Sequence, residues 1–462
     1  MQHFDIVVIG AGGAGEAAVH LAAGGGASVA IIDRELFGGS CPYWACMPSK
    51  ALLHAASVHH AGGDYAWSKA SGFRDYMINR EGTDWPDDGG HVSSLERAGA
   101  TVIRGSARFA GPGRLTVTGA DGEESELEAS AVIVAVGSHS RIPELPGLEE
   151  IEPWTNRHGT ATRELPKSLV ILGAGPTGVE LSQVYARYGV PVTLVHPGER
   201  INDKDHPKSS EIVAAALEAE GVALRLNVRA ERIAARSGFD GAHAVHLSDG
   251  STAEGHEILL AIGRDFPVDE LNLGAIGVET VDGRLEVDDR LRIAENVYVA
   301  GDVAGPEMHT HLAHYQGEMA ARLALGDDVR PDHTAIPRAI YTDPEAASVG
   351  LRLEEARERE IDAAEFSVDL AMTAKGYTAE AKGHATIVVD RRARTLVGVF
   401  LAGPSVSETI HEAVLAIKLQ TPLAVLSDTI HAFPTVARVL GTAFVNAHRE
   451  LETAAAAAGK AA

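Results

Sequence analysis

A glycine-rich turn between a buried strand and a helix occurs twice in this chain, and that repetition limits the fold more than any other feature of the sequence. In the first copy, residues 4–9 (FDIVVI) form a short apolar run bounded by glycine, which predicts a buried parallel strand. Gly10, Gly12 and Gly15 follow, then a helical stretch over 16–23, then a second strand over 28–32 that ends at Asp33. Glycines at these positions let the backbone approach a pyrophosphate at a helix N-terminus, and the acid can accept a hydrogen bond from a ribose hydroxyl. The second copy has a strand over 168–172, then Gly173, Gly175 and Gly178, a helix to about Tyr188, and a strand over 191–195 that ends at His196. A lone glycine motif carries little weight, but strand, turn, helix and strand together are specific.

Between the two copies lies GGSCPYWACMPSK, residues 38–50, which holds Cys41 and Cys46, the only two cysteines in 462 residues. In an undistorted helix, positions five apart sit about 8.7 Å from each other between α-carbons, beyond the roughly 4.4 to 6.8 Å that a disulfide spans. A bond here requires a distorted backbone. Pro42 and Pro48 supply a reason for distortion, because each lacks an N–H and resists a helix interior. A strained short-range disulfide is readily reduced, which suits a catalytic couple; the alternative is two unrelated buried thiols.

Length and charge exclude several classes. The chain is long enough for three or four domains. It has no run of about eighteen apolar residues for a membrane span, and its first strand runs into the glycine turn without a basic leader, so no signal peptide is expected. These features predict a cytoplasmic protein, where a disulfide is more often catalytic than structural. A formal net charge of −24 argues against nucleic acid or an anionic membrane as partner.

Taken together, the two glycine fingerprints and the GGSCPYWACMPSK stretch resemble the pyridine nucleotide-disulfide oxidoreductases of the flavoprotein disulfide reductase group, home of lipoamide dehydrogenase, glutathione reductase and mercuric reductase. The resemblance runs from about residue 4 to about 450. It implies an α/β fold with two Rossmann-like dinucleotide-binding domains, for FAD and NAD(P), plus a C-terminal α+β dimerisation domain. The corresponding boundaries are 1–148 for the FAD domain, 149–265 for the NAD(P) domain, 266–332 for a central segment completing the FAD domain, and 333–450 for the interface domain of a homodimer. The alanine-rich stretch 451–462 reads as a frayed tail.

The resemblance also implies roles. Cys41 would be the thiol that exchanges with substrate, Cys46 the thiol beside the flavin, and Lys50 a residue near the reactive flavin nitrogen paired with Glu180. Cofactor-binding positions would be Gly10, Gly12, Gly15, Asp33, Gly39, Ser40, Gly137 (in AVGSHSRIPELPG), Gly301 and Asp302 (in VYVAGDV) for FAD. Gly173, Gly175, Gly178, His196 and Arg200 would serve NAD(P), and Gly263 and Arg264, in the LLAIGR segment that resembles the return to the flavin domain, would be further cofactor-binding positions. NAD-preferring relatives place a carboxylate where this chain has His196, and Arg200 is nearby, so the expected donor is NADPH rather than NADH. His309, His311 and His314 in HTHLAHYQGE invite a metal hypothesis, but only His314 and Glu318 stand at helical i and i+4, so no metal is expected.

The sequence departs from the family at the acceptor side. Disulfide-reducing relatives end in a segment reading HPT followed by a glutamate, whose histidine, contributed by the partner subunit, protonates the departing thiolate. Here the segment is HAFPTVAR, with Phe433 at the histidine position and Arg438 at the glutamate position. A phenyl ring carries no proton. His431 could replace the acid only if the backbone turned it toward Cys41. Tyr43 and Trp44, between the cysteines, could stack on a flat acceptor or fill core space. Mercuric reductases also lack the histidine but use a further cysteine pair, which this chain does not have. The expected acceptor is a small molecule that needs no acid at 433, such as a quinone, a metal ion or an unusual thiol compound. The alternatives are a conventional disulfide reductase or dihydrolipoyl dehydrogenase with a replacement acid, and a redox sensor without turnover.

Overall fold

The computed structural model describes residues 1–461 and contains three main sheets. The first is built on β1 (Gln2–Ile9), which pairs in parallel with β2 (Val29–Asp33) on one side and with the strand Glu124–Val134 on the other. Thr101–Gly111 extends the sheet beyond β2, and Val297–Val299 extends it beyond Glu124–Val134. The outer halves of Thr101–Gly111, Arg114–Gly119 and Glu124–Val134 form an antiparallel meander. The helix α1 (Gly13–Gly24) buries Ala14, Ala18, Val19 and Ala22 against β1 and β2, the spacing of a single helical face. Small residues let it lie close to the helix Thr310–Ala324: a Cβ on Gly317 would stand 2.1 Å from the Ala14 carbonyl oxygen.

The second sheet has four parallel strands in the order Glu257–Leu260, Leu169–Leu172, Val192–His196 and Ala223–Leu226, with the helix Pro176–Arg187 between its first two strands in chain order. The third is a five-stranded antiparallel sheet ordered Pro337–Ile340, Glu345–Gly350, Thr395–Gly403, His384–Asp390 and Ala363–Asp369, closed by the long helix Val436–Ala461. A two-stranded ladder between His139–Ser140 and Arg264–Asp265 ties together the outgoing and returning chain at the base of the second sheet.

Several elements differ from expectation. The apolar run ASAVIVAVG over 129–137 reads as a buried strand, but the strand begins at Glu124 and ends at Val134, because its first half pairs in the meander. The Gly-, Asp- and His-rich region around 81–90 reads as a loop, yet one helix, Trp67–Met77, ends shortly before it and another, Gly89–Arg97, starts within it. The tail expected to fray is helical through Ala461, with Leu451 buried; a run of alanine keeps its helix without a docking face, since alanine has the highest helix propensity. Ala462 lies outside the described residues. No helix among the described residues is long and apolar enough to cross a membrane.

Candidate active site

The cysteine pair sits on a broken helix. The short helix α2 (Ser40–Trp44) stops at Ala45, whose φ of −130° and ψ of −95° are not helical, and α3 (Cys46–His60) starts at the next residue. This is the distortion that the i, i+5 spacing demands. Both cysteines are thiols here, and both are half-buried.

Their environments are opposite. Cys41 donates its hydrogen bond to Cys46, which holds the Cys46 thiol down, to about 6, with help from Thr310 and the Lys50 charge and against the opposing cost of burial. The same hydrogen bond, with burial, pushes Cys41 up. Cys46 is also the first residue of α3, where the helix N-terminus favours a thiolate. Thr310 Oγ1 lies 3.3 Å from Cys46 Sγ. Cys46, lowered from the ordinary 9.0, contributes stability that is present above pH 9 and lost as pH falls toward 6, whereas the raised Cys41 contributes stability that is present below pH 9 and lost as pH rises above it.

Thr310 was not singled out from the sequence, where three neighbouring histidines gave the louder signal. Replacing it with valine removes one hydrogen bond to a charged sulfur, worth about 1.5 kcal/mol, so Cys46 should titrate about one pH unit higher. The rate of alkylation of the reduced protein against pH measures this, and an unmoved midpoint would remove Thr310 from the site.

Lys50, on α3, meets Glu180 of the helix Pro176–Arg187 across 130 residues of sequence. Its Nζ donates to Glu180 Oε2 at 2.8 Å and to Oε1 at 3.1 Å, and Glu180 is only 4% exposed. Tyr341, a second residue without a sequence signal, donates its backbone N–H to Glu180 Oε1 at 3.1 Å and lays its ring 4.6 Å from the ammonium.

The glycine turns fit dinucleotides. Gly10 has φ +103°, and a Cβ there would stand 2.3 Å from the Ala135 carbonyl oxygen; a Cβ on Gly15 would stand 1.9 Å from the Gly10 carbonyl oxygen. Neither Gly12, the N-cap of α1, nor Gly175, which caps Pro176–Arg187, brings a side chain to the open N-terminus. Both ends can therefore take a phosphate. Gly173 and Gly178 repeat the same close contacts in the second turn. Asp33 accepts from Ala11 N–H at 2.7 Å and from Glu35 N–H at 2.8 Å, and burial raises its carboxyl against these bonds. Asp33 also lines a cavity of about 110 Å³ together with Gly10, Ser106 and Glu270 among others.

Gly39, at φ +70°, packs on Gly12 at the start of α2, whose first residue is Ser40. Gly137, Gly263 and Gly301 all have positive φ, and Asp302 follows at the end of the strand Val297–Val299. Asp302 accepts from Ser138 Oγ, and Arg264 donates to the Ser138 carbonyl at 2.6 Å, so these three form one network at the crossing of the two nucleotide sheets.

The two residues expected to set the nucleotide preference both have partners within the protein. His196 ends the strand Val192–His196 but accepts from Ala174 N–H at 3.3 Å, turned into the glycine turn. Arg200 donates to the carbonyls of Asp203 and Asp205 at 2.6 and 3.1 Å, because the 200–205 loop folds over its guanidinium.

The aromatic residues between the cysteines fill the core. Tyr43 is buried and donates to the Phe37 carbonyl at 3.0 Å, and Trp44, also buried, packs 5.2 Å from Trp85. The His309 and His311 rings stack 5.0 Å apart, with His309 meeting Glu307 at 2.9 Å and His311 the Pro337 carbonyl at 2.9 Å, while His314 is exposed over Gly13. Among the described residues, no three His, Cys, Asp or Glu side chains gather as a metal site would require.

At the acceptor side, Phe433 is 73% exposed beside Ile430 at 96%. His431 is tucked under this loop, with Nε2 3.0 Å from Glu412 Oε1 and Nδ1 3.0 Å from the Thr429 carbonyl. Each ring nitrogen lies within hydrogen-bond distance of an oxygen of its own subunit, so the imidazole is engaged there.

Two nucleotide cradles, a cysteine pair poised beside one of them and a buried lysine–glutamate pair define a dinucleotide-dependent dithiol oxidoreductase. Residues 4–317 match the family model of pyridine nucleotide-disulphide oxidoreductases, and 336–444 match that family's dimerisation domain. The chain belongs to this family, whose members are FAD-dependent enzymes with NAD(P)H as electron donor. It is 33% identical over 446 residues to dihydrolipoyl dehydrogenase of Halobacterium salinarum, covering 94% of each protein. It is 27% identical to mercuric reductase of Bacillus cereus, over 99% of this chain and 73% of that one. Among solved structures, LpdA from Mycobacterium tuberculosis superposes with a TM-score of 0.85 at 26% identity, over 96% of this chain and 99% of that one. The dimerisation domain supports a homodimer.

Proposed function

We propose that the protein oxidises NADPH and passes the electrons through FAD and the Cys41/Cys46 pair to a small acceptor that needs no proton from residue 433, such as a quinone, a metal ion or an unusual thiol compound. One observation carries this reading. The loop that should deliver an acid presents Phe433 instead, while His431 is committed to Glu412 and Thr429.

Bound FAD supplies hydride acceptance and the release of electrons singly or in pairs. The chain supplies the rest. Lys50 and Glu180 hold a fixed charge pair where the two nucleotide domains meet. Two electrons and one proton convert a Cys41–Cys46 disulfide into a Cys41 thiol and a Cys46 thiolate, the distribution that their hydrogen bonds favour. A quinone then takes two electrons with one proton from Cys41 and one from water, re-forming the disulfide. The preference for NADPH rests on the absence of a carboxylate at His196, since Arg200 is held by carbonyls.

The test is to reduce the purified enzyme with NADPH without oxygen and then reoxidise it with a benzoquinone or with lipoamide. The quinone should be faster by at least about 100-fold, the low end of what a missing general acid costs. Fast reoxidation by lipoamide would favour the second reading, a dihydrolipoyl dehydrogenase, which is what several relatives are named. Reduction without turnover by either would indicate a redox sensor.

A further inference from the structure

The break between α2 and α3 leaves one backbone carbonyl without its helical partner. In a continuous helix the Trp44 carbonyl would accept from the N–H of residue 48, but residue 48 is Pro48 and has none. Trp44 is 5% exposed, so water is a poor substitute, and a buried carbonyl left unpaired is costly.

The missing donors come from the helix Asn156–Ala161, in the segment that leads into the second nucleotide domain. Asn156 Nδ2 donates to the Trp44 carbonyl at 2.8 Å. Thr160 Oγ1 lies 3.1 Å from the same oxygen and 2.8 Å from the Asn156 carbonyl, so its single proton is shared between them. The amide of Asn156 is itself oriented by Ser140, whose hydroxyl donates to Oδ1 at 2.8 Å. Ser140 belongs to the ladder that joins the two crossing segments.

We infer that Asn156, supported by Thr160, is a positioning residue for the cysteine couple: it holds open the helix break that brings Cys41 and Cys46 together. The inference rests on the reading of that pair as the redox centre. A dithiol tolerates relaxation of the break, because its two sulfurs need not stay at bonding distance. The disulfide does not. Removing the two donors therefore disfavours the disulfide relative to the dithiol, and the couple becomes more oxidising. The reaction compared is disulfide plus two electrons and two protons giving two thiols, one of which ionises.

The experiment equilibrates the FAD-loaded enzyme, wild type and variants, in dithiothreitol redox buffers and counts alkylated cysteines by mass. In Asn156→Ala/Thr160→Val the disulfide–dithiol equilibrium should move about tenfold toward the dithiol, which is about 30 mV for a two-electron couple. Thr160→Ser keeps the hydroxyl and should match wild type. Asn156→Ala alone should give most of the shift, which provides a readout if the double variant does not fold. An unmoved midpoint in Asn156→Ala, or an equal shift in Thr160→Ser, overturns the inference. A wild-type protein whose cysteines show no dithiol transition in any buffer would instead overturn the reading of the pair as the redox centre.

Discussion

A Lys50→Met protein should lose about 100-fold or more in the rate at which NADPH reduces it, and it should also become measurably less stable. Both effects come from one ion pair. Glu180 is 4% exposed and accepts two bonds from Lys50 and one from the Tyr341 N–H. Without the ammonium, a buried carboxylate is left with a single donor, which costs about 3 kcal/mol, the low end for a broken buried pair because the Lys50 side chain is 37% exposed. The rate loss follows from removing a fixed charge from a site where charge moves, typically worth about 10² to 10³. Cys46 should titrate higher as well, since the Lys50 charge helps to hold its thiol down.

The second variant, Lys50→Met/Glu180→Leu, separates these effects. It buries no unpaired charge, so stability should return while the rate stays low. Thermal unfolding and rapid mixing with NADPH measure the two quantities. Recovery of both in the double variant, or an unchanged rate in Lys50→Met, would show that the pair is only structural.

That pairing was legible in the sequence only through the resemblance, since nothing in 130 residues of intervening chain ties residue 50 to residue 180. The glycine turns were legible from physics alone: a strand, a turn that tolerates no Cβ at Gly10 or Gly15, and an uncapped helix leave few other folds. The cysteine spacing likewise required a break, and Ala45 supplies it. What stayed hidden depends on contacts across elements. Thr310, Asn156 and Tyr341 each act through one hydrogen bond or ring contact to a residue more than 100 positions away, and polar side chains of these types carry no pattern. Arg200, whose position in the sequence suggested a phosphate ligand, donates to two carbonyls of its own loop, contacts that no sequence pattern announces. The departures at Phe433 and Arg438 were readable as departures, but the contact of His431 with Glu412, which lies on the helix His411–Lys418, was not.

On the function proposed above, Phe433→His/Arg438→Glu should raise lipoamide turnover by about 10² to 10⁴, the usual contribution of a general acid. The phenyl ring is 73% exposed on its own subunit, so an imidazole fits there without repacking the core. The glutamate is needed because the existing carboxylate is occupied: Glu412 already pairs with His431 at 3.0 Å. Phe433→His alone should therefore gain about tenfold less, its ring being free to rotate away from the proton-donating pose. Quinone turnover should change little, because that reaction takes its protons from Cys41 and water. The control is His431→Asn. If His431 only ties its loop to Glu412, lipoamide turnover in the wild-type background stays at its low level. Should His431→Asn abolish an appreciable lipoamide activity, or should the Phe433→His/Arg438→Glu protein gain none, then the acid of this enzyme is His431, and the separation from disulfide chemistry proposed above does not hold.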